Sequence, residues 1–80
     1  MPRPTASPSD PVLLAFAQRL IELRRERGIS QERLAMDAGM GRSYLSGVER
    51  AQRNISLLNI CKLAAALNVD PHQLLLPPSG

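Results

Sequence analysis

An all-α fold of five short helices is predicted for this 80-residue chain. Apolar residues recur three and four apart along most of it. Capping residues and helix-ending glycines alternate at short intervals, and no stretch shows the β-branched alternation of a strand. With hydrophobic residues at 44% but only one Phe and one Tyr, the core must be aliphatic.

The elements follow in order. Residues 1–9 hold three prolines among small polar residues and read as a disordered arm, where Arg3 offers one phosphate contact at most. Asp10 and Pro11 supply an N-cap and a first helical residue. Leu13, Phe16, Leu20 and Leu23 then keep helical spacing as far as Gly28, a left-handed residue past the helix end. Ser30 caps a second helix, "QERLAMDA" (31–38), which Gly39 stops. Gly41 opens a third over about 42–50. Ser56 caps a fourth, with Leu57, Ile60, Leu63 or Ala64, and Leu67 facing inward, and Asn68 ends it. Asp70-Pro71 starts a short fifth helix at "HQLLL", where Gln73 completes a capping box with Asp70. One folded domain, 10–76, is expected, with 77–80 a frayed tail and no internal repeat.

Composition bounds the function. A net charge of +3 favours an anionic partner without demanding one. The lone Cys61 cannot form an internal disulfide and is most simply a small buried hydrophobe. No Cys/His cluster has metal spacing, so no metal is expected, and the reducing cytoplasm is the expected compartment. No apolar run approaches the roughly 20 residues of a membrane span, and the N-terminus lacks a signal peptide's apolar core. His72 stands alone and no Gly-rich phosphate loop appears. An enzyme, a cofactor and a small-molecule ligand are therefore not expected.

The middle of the chain is the most informative. Only Gly39, Met40 and Gly41 separate the second and third helices, so the two must cross steeply. A steep crossing needs a small residue where backbones approach, supplied by Ala35, and a residue tolerant of positive φ, supplied by Gly39. Leu45 and Val48 then pin the third helix to the core. Counted from Gln31, these are Ala at five, Gly at nine, Leu at fifteen and Val at eighteen, the pattern of a DNA-binding helix-turn-helix. An ordinary αα corner accounts for the first two matches but not for the full set.

Residues 20–75 resemble the Cro and phage-repressor type of helix-turn-helix, the XRE-like family, with its lambda-repressor-like fold. Within them, "GRSYLSGVERAQRNISLLN" is similar to the controller proteins of restriction–modification systems, where an R-x-Y-x-S-G-x-E-R-x-x-R-N pattern recurs. The resemblance implies a sequence-specific transcriptional regulator acting on double-stranded DNA. For a controller, the targets would be its own promoter and the endonuclease gene.

Residue roles follow from chemistry and from that resemblance. A recognition helix lies in the major groove, about 12 Å wide, with its first residues at the base edges. Arg42 can reach guanine O6 and N7 bidentately, or contact a phosphate. Ser43 can bond a base edge or a phosphate. The Tyr44 ring can meet a thymine methyl, or pack against Val48 with only its hydroxyl wet. The resemblance implies that Arg42, Ser43, Tyr44 and Ser46 face DNA. Gly47, lacking a Cβ, permits close approach to the duplex, or is merely a tolerated exposed position. Gln31 at the start of the second helix, and Arg53, Asn54 and Ser56 before the fourth, are candidate phosphate contacts. Asn54 also suits a turn. The resemblance further implies a partly buried Arg24–Glu49 ion pair. Gly41 and Ala51 depart from the family pattern, which has Ser or Thr at the first position and Gly at the second.

One module offers few base contacts, so a homodimer on two half-sites about 34–36 Å apart is expected. Leu74, Leu75 and Leu76 cannot all point inward on one short helix and are candidate dimer contacts. A protein-binding module of the same fold, such as an antitoxin, is the rival reading. Antitoxins usually bring an additional segment for the toxin, and short proline-rich ends do not suggest one.

Overall fold

The computed structural model describes residues 10–79. Four α-helices, α1 (Pro11–Glu26), α2 (Gln31–Ala38), α3 (Arg42–Glu49) and α4 (Leu57–Leu67), precede a 3-10 helix, Pro71–Leu75. The arm expected at 1–9 lies outside the described residues.

Capping starts the helices. Side-chain oxygens of Asp10, Ser30 and Ser56 accept from the backbone N–H groups of Val12, Arg33 and Asn59 at 2.9, 3.0 and 3.1 Å. Gly41, at the head of α3, has no side chain to do so.

All four helices close alike. A residue in left-handed backbone follows the last turn: Gly28 (φ 67°), Gly39 (68°), Ala51 (59°) and Asn68 (59°). The next N–H then returns to the carbonyl five residues back. These bonds run from Ile29 to Arg24, Met40 to Ala35, Gln52 to Gly47 and Val69 to Ala64, at 2.9–3.4 Å. The closure satisfies carbonyls the helix would leave bare, and an apolar residue usually seals it. Ile29, Met40 and Val69 do this by packing on the core. The α3 end differs: Gln52 is exposed, and Ala51 itself is buried against Leu13 and Ala17. Left-handed backbone costs an alanine about 1 kcal/mol. Burying its methyl offsets about 0.8 kcal/mol of that.

The core draws Phe16, Leu20 and Leu23 from α1, Leu34 and Ala35 from α2, Leu45 and Val48 from α3, and Leu63 and Leu67 from α4. α1 packs on α3 and the 3-10 helix, while α2 packs on α3 and α4. Several expectations need correction. Leu57 is 71% exposed, because the inward stripe of α4 runs one turn past its packed neighbours. Cys61 is exposed rather than buried. No capping box forms at Asp70, whose side chain makes no cap bond. Arg19 engages Gln73 instead, its Nε donating to the Gln73 carbonyl at 2.8 Å and a terminal nitrogen to Gln73 Oε1 at 3.0 Å. Nor does the chain fray at once after Leu76. Pro78 is half-buried, and the Ser79 N–H donates to Glu22 Oε2 at 2.8 Å.

One polar cluster orients α3. Arg24 grips Glu49 with two parallel bonds, Nε to Oε2 at 2.7 Å and a terminal nitrogen to Oε1 at 3.0 Å. The other terminal nitrogen donates to the Ile29 carbonyl at 3.0 Å. Gln31 Nε2 donates to Glu49 Oε1 at 2.9 Å. The Glu49 side chain is 4% exposed.

Two outcomes are expected in urea denaturation. Arg24→Met strands a buried carboxylate and should cost about 3–5 kcal/mol, whereas adding Glu49→Leu should recover a large part of that loss. A double variant as unstable as the sum of both singles would overturn this account. Asn68→Ala should cost about 1 kcal/mol and Asn68→Gly almost nothing, since only the alanine is strained at φ 59°.

Candidate nucleic-acid interface

The buried residues of α3 decide which of its residues reach solvent. Leu45 (0% exposed) and Val48 (2%) face the core, and Glu49 faces Arg24. Turning those three inward leaves Arg42 and Ser43 exposed in the first turn. The amides of that turn lack side-chain capping, and the helix N-terminus carries partial positive charge. Arg50 and Arg53, both exposed, follow beyond the helix. Arg42 thus stands at the helix N-terminus, while Arg50 turns back to Ser46 and Arg53 brings its guanidinium to 5.8 Å from the Tyr44 ring centroid.

The remaining predicted residues are more engaged than spacing suggests. Tyr44 is half-buried against the core, and its hydroxyl accepts from Asn59 Nδ2 at 3.1 Å. The Ser46 hydroxyl accepts from an Arg50 terminal nitrogen at 2.7 Å, while Arg50 Nε donates to Gln52 Oε1 at 3.1 Å. Gln31 donates one of its two side-chain N–H groups to Glu49, leaving the second and the backbone N–H at the start of α2 as donors for an anion. Asn54 and Ser56 are exposed, and Ser56 also serves as the α4 cap.

Gly47 requires a correction. It is buried, and a Cβ built on it would stand 2.8 Å from Arg53 Cγ. In the free protein the space left by the missing side chain is filled by the stem of Arg53. Asn59 went unnoticed in the sequence. Its place one turn past the Ser56 cap was the only available signal.

Leu74 is fully buried, so it cannot be a dimer contact in this fold. Leu75 (64% exposed) and Leu76 (41%) stand out beside Val12 (74%). With Phe16, Ile55 and Ile60 they line an open apolar groove of about 460 Å³. Among the described residues, no helix is long and apolar enough to cross a membrane.

A helix-turn-helix family model matches residues 20–74. Over 66 residues the chain is 53% identical to a hypothetical transcription factor from Neisseria meningitidis, across 82% of this chain and 60% of that protein. It thus spans three-fifths of that relative's length. The crystal structure of the restriction-modification controller protein C.AhdI from Aeromonas hydrophila matches with a TM-score of 0.76 and 58% identity. That match covers 78% of this chain and 94% of C.AhdI. The structure of SinR, a master regulator for biofilm formation, in complex with DNA matches with a TM-score of 0.71 and 42% identity. It covers 76% of this chain and 98% of that one. By the matched family model, and by a fold and sequence shared with these proteins, the chain belongs to the XRE-type helix-turn-helix family of DNA-binding regulators and is a homologue of the restriction–modification controllers.

Proposed function

We propose that this protein is a cytoplasmic transcriptional regulator that binds a two-fold-symmetric operator as a homodimer, with α3 in the major groove. As a homologue of a restriction-modification controller, it acts on its own promoter. One observation carries the reading: the first turn of α3 exposes Arg42 and Ser43 while Leu45, Val48 and Glu49 hold the helix from behind. An arginine there suits a bidentate contact to guanine, and a serine suits a base edge or a phosphate. Tyr44 and Ser46 flank them and can still offer a ring edge and a hydroxyl oxygen. Arg53, Asn54 and Ser56 suit one phosphate contact region, and the Gln31 backbone at the start of α2 suits another.

Leu75 and Leu76 supply the apolar contact between protomers. They lie at the groove beside Val12, whose lining is apolar except for Asn54.

Selection from a randomised duplex pool, followed by anisotropy titration over a salt series, tests the reading. A two-fold-symmetric site should emerge, with affinity falling steeply as salt rises. Arg42→Ala should cost about 1–3 kcal/mol per half-site and relax preference at one base pair. Leu75→Asp combined with Leu76→Asp should halve the sedimenting mass and weaken operator binding by about 100-fold or more. Absence of any bound duplex at low salt would defeat the proposal and point to a protein partner.

A further inference from the structure

The geometry points to Gly47 as a positioning residue that acts on DNA binding only through Arg53. This rests on the reading of α3 as the DNA-facing helix. A Cβ on Gly47 would stand 2.8 Å from Arg53 Cγ, 3.5 Å from Nε and 3.7 Å from Cδ. Carbon atoms pack best at about 3.5–4.0 Å, so the Arg53 stem fits its present path only over a glycine. That path carries the guanidinium to 5.8 Å from the centroid of the Tyr44 ring, within cation–π reach. The ring is held in turn, its hydroxyl accepting from Asn59 Nδ2 at 3.1 Å.

Gly47, Tyr44 and Asn59 therefore form a seat for one arginine. The seat spans α3 and α4, and Arg53 comes from the loop between them. Arg53 is exposed, so its stem rather than any backbone yields when a methyl arrives, and the fold survives Gly47→Ala. What changes is where the cation sits. An arginine held in place keeps its charge at a set distance from the α3 face, whereas a displaced one must be ordered again at each binding event.

A double-mutant cycle of Gly47→Ala and Arg53→Ala in the full chain tests this, read in two ways. In the free protein, Gly47→Ala in the Arg53→Ala background replaces a helical glycine unopposed and should raise the melting temperature by about 4–8 °C. In the wild-type background the gain should be less than half as large, because the Arg53 stem must move. Binding is read on the duplex enriched by the selection above, across a salt series. Arg53→Ala should weaken binding about tenfold and flatten the salt slope by about 0.9 per half-site. Gly47→Ala alone should shift both quantities in the same direction, and the double variant should be no weaker than Arg53→Ala. Further loss in the double variant would mean that the alanine methyl meets DNA itself, which overturns the proposal. Equal thermal gains in both backgrounds, or unchanged binding by Gly47→Ala, would overturn it as well. If the wild-type protein binds no duplex, the DNA reading fails and this proposal with it, whatever the thermal cycle gives.

Discussion

The orientation of α3 depends on a buried carboxylate. Taking the Glu49 charge out of water costs several kcal/mol unless its oxygens are met by well-placed donors. Three donors meet them, two from Arg24 near the end of α1 and one from Gln31 at the start of α2. Arg24 spends its remaining terminal nitrogen on the Ile29 carbonyl, in the loop joining those two helices. A single carboxylate on α3 thus gathers the end of one helix, the head of another and the loop between. Apolar contacts tolerate sliding, whereas a bidentate arginine–carboxylate pair has one good geometry. The pair therefore sets the rotation of α3 about its axis, and with it which residues face outward.

The helix ends give the fold its regularity, and they were largely readable. Glycine or asparagine after an amphipathic run announces a left-handed stop, and Gly28, Gly39 and Asn68 all are one. Ala51 was not readable in this way. It adopts the same backbone because its methyl has a buried place against α1, and that is decided by tertiary packing rather than by local preference. Periodicity gives the inward stripe of α4 from Ile60 to Leu67 but runs it one turn too far, to Leu57. Spacing alone does not tell where a neighbouring element stops.

The site was legible to a different degree. The exposure of Arg42 and Ser43 is legible, because it follows from the buried positions behind them. Gly47 stands out as an unexpected gap in a helix, but what fills that gap in the free protein is not legible in the spacing. The filler is a side chain six residues further on, reached through a turn whose course depends on Ala51. Side-chain bonds across elements, such as Tyr44 with Asn59 or Gln31 with Glu49, leave no trace in spacing at all. Their partners are polar residues that look like surface residues until the fold brings them together.

Ala51 has one more consequence. Most connecting loops can lengthen, shorten or open without disturbing the elements they join, because closing a longer loop costs little extra entropy. The segment between α3 and α4 is anchored at its first turn by a methyl wedged among Leu13 and Ala17. Opening it uncovers part of α1, so its amides should exchange with solvent together with that helix and not as an independent loop. An inserted residue after Ala51 would move Arg53 out of step with Gly47 while leaving the anchor in place. Over evolutionary time, the length of this connection should therefore vary less than its polar residues do.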